Sequence, residues 1–241
     1  MLILRKGKLS EPGSVAALDA PARWEERSAT RVLEVGRDQI LERSRRIVEV
    51  AYALLEQAGL DGVTIRAVLK NSRLSRRAFY ERFEGKDELM LAVFEHTIRL
   101  AAGHYRDQVA NLADPLARLE MIVTSIVLGR STDTHTQSAT IWRRGAAMSR
   151  EHLRLAQSRP EDLQTALSPL LEVIALQLSD GMSVGSIRST DPRRLAALLY
   201  NLVSTTAHTE LLTRETAAPD PARMAGLARD LWFFCLRAIA A

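Results

Sequence analysis

Between Thr64 and Lys86 the chain twice sets a hydroxyl residue in front of a short apolar stripe, with a polar break between the two. Thr64 is suited to cap a helix, because its oxygen can accept a free N–H of the first turn. Behind it Ile65, Val68 and Leu69 fall on one helical face. Asn71-Ser72-Arg73 interrupts the stripe, Leu74 follows as an apolar plug, and Ser75 is suited to cap a second short helix. On that helix Phe79 and Phe83 share a face at i,i+4 spacing, while Arg76, Arg77 and Tyr80 point elsewhere. One side of such a helix packs and the other is basic. A helix-turn-helix meets both demands, since its second helix packs on its partner and offers its N-terminal residues to base edges.

The block resembles the N-terminal domain of TetR-family transcriptional regulators. The resemblance rests on Thr64, Ser75, Tyr80, Phe83 and Lys86 in that order and spacing, preceded by Ile47, Ala51, Leu54, Leu55, Gly59 and Val63. It covers roughly Arg45 to Val93; beyond that only length and helical layout agree. Four positions depart from the family's habit. Ser72-Arg73 stands where Ala-Gly is frequent, and a non-glycine left-handed turn residue costs about 1–2 kcal/mol. Leu69 replaces a small residue, Arg77 a Gly or Pro, and Arg82 a His. The resemblance implies that Thr64, Tyr80, Arg82 and Lys86 hold phosphates of double-stranded DNA. Ser75, Arg76 and Arg77 then enter the major groove, where an Arg fork can read guanine.

The 241 residues suit one or two domains, and an apolar content of 46% supports a sizeable core. A net charge of +4 excludes a general polycation and leaves room for a local basic patch. Cys235 is the one cysteine, so no internal disulfide forms, as expected of a reducing cytoplasm. No apolar run has transmembrane length, and Met1 to Leu4 is too short for a signal-peptide core, so a cytoplasmic protein without membrane contact is expected. Residues 1–37 read as an N-terminal extension with three readings open: a flexible tail, a basic arm carrying Arg5, Lys6 and Lys8, or an added helix formed by Trp24 and the run Thr30 to Val35.

Expectations for the rest are all-α. A first helix over 38–58 ends at Gly59, suited to a left-handed C′ position. A long fourth helix runs from Gly85 to about Asn111, with Asp87 and Glu88 favourable at its positive end. Asp114-Pro115, Asp191-Pro192 and Asp220-Pro221 each join a capping carboxylate to a proline at N1, and start helices over 115–130, 192–212 and 221–239. Helices over 137–150 and 160–180 lie between; Ser168-Pro169 is expected to kink or divide the latter, and Gly181 to Ser189 to be a loop. The expected architecture is a three-helix helix-turn-helix domain at 38–86, joined by the long helix to a larger helical part at 87–241.

Two stripes close the chain. Leu195, Leu199 and Leu202 form one; Leu227, Leu231 and Phe234 form the other. Their spacing fits an intramolecular core and a four-helix homodimer seam equally; the resemblance favours the seam. Trp142, Met148, His152 and Leu171 are the candidate lining of an effector site between about 115 and 190, and the absence of a buried basic cluster points to a mainly apolar effector. The five histidines, His135 in its Asp133-x-His135 loop among them, have no metal-binding spacing. No catalytic triad, phosphate loop or cofactor motif is present. Two functions are in view. One is a homodimeric repressor released from a palindromic operator by a small molecule. The other is a helical binding or enzymatic protein whose N-terminal block only packs. The exposed basic residues of 75–82 favour the first.

Overall fold

The computed structural model describes residues 23–129, 138–213 and 220–241, with side chains described from 36 and from 143 in the first two stretches. Expectations for residues 1–22, His135 and the Trp24 and Trp142 side chains lie outside the described residues. The chain divides into a unit up to Ser44 and a unit from Arg45 to Ala241. In the first unit the backbone is helical from Arg23, so a helix is present over 30–35. Ile40 and Leu41 are exposed there, and the Ser44 hydroxyl donates to the Ile40 carbonyl.

The described residues form nine α-helices: α1 Arg23–Gly62, α2 Ile65–Ser72, α3 Arg76–Tyr80, α4 Lys86–Val109, α5 Pro115–Leu128, α6 Ser138–Ser158, α7 Pro160–Ser183, α8 Pro192–Thr213 and α9 Pro221–Ile239. Their starts follow from capping. Thr64 Oγ1 accepts from Ala67 N, and Ser75 Oγ from Ala78 N, both at 3.1 Å. Asp114 caps α5 through the Leu116 and Ala117 amides, Asp191 takes those of Arg193 and Arg194, and Asp220 takes that of Arg223. α1 bends at Gly59, whose φ of 67° is in the left-handed region.

Four expectations need correction. α1 begins well before 38 and α6 runs past 150 to Ser158. Ser168-Pro169 does not divide α7, which is a single helix with Pro169 inside it. The loop placed at Gly181 starts after Ser183 instead. Gly181 is inside α7, where an added Cβ would lie 2.4 Å from Ile187 Cδ1, so glycine is what lets Ile187 seat against the helix. Ile187 then pairs with Ala240 in an isolated bridge that ties the α7–α8 link to the end of α9.

Two apolar clusters organise the second unit. The head cluster joins Ile47, Ala51 and Leu55 of α1 to Val63, Val68, Phe79, Phe83, Leu89 and Val93. The larger one spans α4 to α9, from Leu91 to Ile239. Met148 of α6 packs against both. At the other end, Arg118 of α5 donates to Asp180 (2.9 Å) and Gln177 (3.2 Å) of α7 and to the Leu112 carbonyl, which fixes the α4–α5 turn.

Candidate nucleic-acid interface

The turn between α2 and α3 is built on Arg73, the one described non-glycine residue at positive φ (57°). The strain foreseen for a non-glycine turn is therefore present, and the turn keeps its left-handed form. Phe79 is fully buried and Phe83 is 7% exposed, and they pack α3 onto the head cluster. Ile65, Leu69 and Leu74 pack against the same cluster from the other side of the turn.

The opposite side of α3 faces solvent. Arg76, Arg77 and Tyr80 are exposed. Arg77 Nε donates to Glu81 Oε1 at 2.9 Å, and this bond draws the Glu81 carboxyl below its ordinary range. The pair is open to water and costs little to exchange for another acceptor. Thr64 and Ser75 each spend an oxygen lone pair on a cap, which leaves the hydroxyl hydrogen available for a phosphate. Lys86 is exposed at the start of α4, its ammonium 3.4 Å from the Leu60 carbonyl. A cation at a helix N-terminus adds to the field of the free amides and favours an anion there.

Arg82 is placed differently from its expected role. Its side chain is 7% exposed, its Nη1 donates to the Ala78 carbonyl of α3, and its Nε is buried without a partner. To touch a phosphate it must swing out. Thr64, Ser75, Arg76, Arg77, Tyr80 and Lys86 are thus each exposed to solvent, and Arg82 is turned inward.

Residues 47–93 match the family of bacterial regulatory proteins, tetR family. Over these residues the chain carries an N-terminal domain of that family. An uncharacterized HTH-type transcriptional regulator of Mycobacterium tuberculosis is 33% identical over 81 residues, 32% of this chain and 40% of that relative. The TetR-family resemblance by sequence is thus confined to less than half of that relative. Over the whole chain the likeness is one of fold. A TetR-family transcriptional regulator from Pectobacterium atrosepticum superposes with a TM-score of 0.65 at 16% identity, covering 85% of this chain and 97% of its own. The regulator FadR from Bacillus subtilis, solved in complex with stearoyl-CoA, gives 0.58 at 14% identity, covering 80% and 97%.

The stripes on α8 and α9 are sorted by the structure. Leu195, Leu199 and Leu231 are buried in the chain's own core at 6–8% exposure, and Leu227 packs against it. Leu202 (36%) and Phe234 (62%) are exposed, together with Leu198 and Phe233. The two faces of each helix were merged in the sequence reading. Leu198 and Leu202 are the exposed apolar residues of α8, and Phe233 and Phe234 those of α9.

Of the residues assigned to an effector site, Met148 and Leu171 are partly buried against the larger cluster. His152 of α6 lies near Phe94, Tyr200 and His208, and burial lowers its pKa. Sequence reasoning missed the partners of α6. Arg144, 8% exposed, donates to Glu56 Oε1 at 2.6 Å and to the Tyr52 hydroxyl at 3.2 Å, both on α1. Arg143 donates to the Gln57 carbonyl at 2.6 Å and lays its stem over Gly59. Arg154 holds the buried Glu151 and reaches Asp87 at 3.8 Å. No sequence signal marks Arg143 and Arg144, because their partners on α1 are distant in the chain; Arg154 and Glu151 are at a legible i,i+3 spacing, but the reach to Asp87 is not. Among the described residues no three His, Cys, Asp or Glu are grouped to hold a metal, and no helix is long and apolar enough to cross a membrane.

Proposed function

We propose that the chain is a homodimeric, sequence-specific DNA-binding transcriptional repressor, working in the cytoplasm and released from a palindromic operator by a small-molecule effector. In this reading 38–86 is the DNA-reading head and 87–241 the effector-binding and dimerisation part. The observation that carries it is the solvent-facing side of a Ser75-capped α3, where Arg76, Arg77 and Tyr80 stand exposed above a head packed by Phe79 and Phe83. A purely structural block has no use for two exposed arginines at the first turn of such a helix.

Each residue then has a role. Arg76 and Arg77 read base edges, and Arg77 leaves Glu81 to do so. Thr64, Ser75, Tyr80 and Lys86 fix the head on phosphates, and Arg82 joins them after turning outward. One head reads few bases; two related by a two-fold axis read half-sites about 34–36 Å apart or a multiple of that. The exposed Leu198, Leu202, Phe233 and Phe234 supply the apolar seam. That FadR was solved with stearoyl-CoA supports a mainly apolar effector for the larger part. The resemblance routes the effector's signal through α4. The arginines of α6 support a second route, since Arg143 and Arg144 grip the end of α1 and His152 stands about 12 Å further along the same helix.

The deciding experiment is selection of bound sequences from random duplex DNA, followed by titration at several salt concentrations. Wild type is expected to enrich a palindrome. Arg77→Ala should relax base preference, while Lys86→Ala should weaken all sequences alike and flatten the salt dependence. Failure to enrich any sequence sinks the reading.

A further inference from the structure

His152 of α6 and His208 of α8 meet edge to face, their ring centroids 4.8 Å apart and their planes at 62°. Phe94 of α4 lies 6.1 Å from the His152 ring and Tyr200 of α8 lies 6.2 Å from it. The Nδ1 atoms of both histidines are buried and have no hydrogen-bond partner in the protein. Burial is the main force on both: it lowers His152, and with the His152 ring beside it His208 falls to about 4. Among the described residues no carboxylate offsets this, so both rings are neutral at pH 7.

A neutral imidazole carries one N–H and one bare lone pair. Two such rings with unmatched Nδ1 atoms leave buried polar capacity unused, which is costly in an apolar setting. A hydroxyl group matches that capacity, since it can accept from one Nδ1–H and donate to a bare Nδ1. A carboxylate only accepts and an ammonium only donates, and either would bring a charge among aromatic side chains. Phe94 and Tyr200 offer ring surface for an aromatic body, which favours stacked or edge-on contact.

We propose that the His152–His208 pair is the polar end of a small-molecule site and takes the hydroxyl of a neutral phenol, whose ring lies against Phe94 and Tyr200. The inference rests on the effector reading above only for its regulatory meaning; the site itself is independent of DNA. Met148, on the same helix and packed against both apolar clusters, is the adaptable side chain through which an occupant acts on the head.

The test titrates the full-length protein with phenol, toluene and benzoate, and follows the histidine side-chain nitrogens by long-range proton–nitrogen NMR. Phenol is expected to bind at least about tenfold tighter than toluene, as one matched buried hydrogen bond would give, and to shift both Nδ1 resonances. His208→Phe should abolish that preference, and His208→Asn, which keeps a polar atom near the Nδ1 position, should retain part of it. Equal binding of phenol and toluene by wild type overturns the proposal even where His208→Phe does not fold. So does a preference that survives in folded His208→Phe. Benzoate binding best, and tightening as pH falls, would make the site an anion site and overturn it too. Phenol that binds as stated but leaves operator affinity unchanged supports the site and removes the effector reading alone.

Discussion

The head and the α6–α8 region use their polar groups in opposite ways. In the head, Thr64 and Ser75 are committed to caps, Phe79 and Phe83 fill the cluster, and the exposed polar side chains stand in water. Between α6 and α8, two imidazoles have buried nitrogens with nothing to bond, while Arg144 and Glu151 are buried and held by ion pairs. The head is assembled by local rules and has little to gain from rearrangement. The α6–α8 region holds unmet polar capacity beside a set of ionic ties to α1 and α4, the features on which the proposed effector site rests. In the proposed division of labour one part reads and the other decides.

The largest effect should come from breaking the head's packing. Phe79→Ala removes a fully buried ring, and is expected to cost about 3–5 kcal/mol in urea unfolding, as large aromatic deletions do. If the larger part is independently braced, its α6–α8 contacts should survive in that variant. Loss of both together, seen as one coincident transition by histidine NMR and by circular dichroism, would show that the contrast is not one of separate stability.

Next is the tie between the two regions. Arg144→Ala leaves Glu56 half-buried beside the Tyr52 hydroxyl, whose pKa burial already raises. A loss of about 2–4 kcal/mol is expected, less than for a fully buried pair because water can reach Glu56. Hydrogen exchange should rise at the end of α1 more than in α3. Uniform exchange across the head would mean that Arg144 only adds general stability.

The pH dependence sharpens the same contrast. His208 is held from its ordinary 6.5 down to about 4, and His152 and His96 are lowered too, chiefly by burial. Because the folded form disfavours the proton, the unfolded chain binds more protons between these values. The stability associated with neutral rings is complete above about pH 6.5 and is lost as pH falls toward 4, by up to about 3 kcal/mol for His208. His208→Phe should flatten the decline of the melting temperature over that window. An unchanged decline would place the sensitive group elsewhere.

The smallest effect runs the other way. Arg73→Gly relieves a left-handed φ of 57° and should stabilise by about 1 kcal/mol or less, after the entropy that glycine adds to the unfolded chain. A destabilised Arg73→Gly would show that the turn draws more from the arginine side chain than its backbone strain costs.

Much of the frame was determined by sequence alone. Caps at Thr64, Ser75, Asp114, Asp191 and Asp220, the left-handed Gly59 and the apolar face of Phe79 and Phe83 all depend on neighbours within about one helical turn, so residue order carries them. The positions of Arg76, Arg77 and Tyr80 on the solvent side follow from the same periodicity. What periodicity does not hold is which of two apolar faces on a helix meets its own chain. Leu195, Leu199 and Leu231 went inward and Leu202 and Phe234 stayed out, and only the angles at which α5, α7, α8 and α9 pack decided it. The inward turn of Arg82, the grip of Arg144 on Glu56 and the meeting of His152 with His208 likewise belong to tertiary structure. Hydrogen bonds and desolvation act over a few ångströms of space and are indifferent to distance along the chain, so pairings between separate helices leave no mark on the spacing of residues.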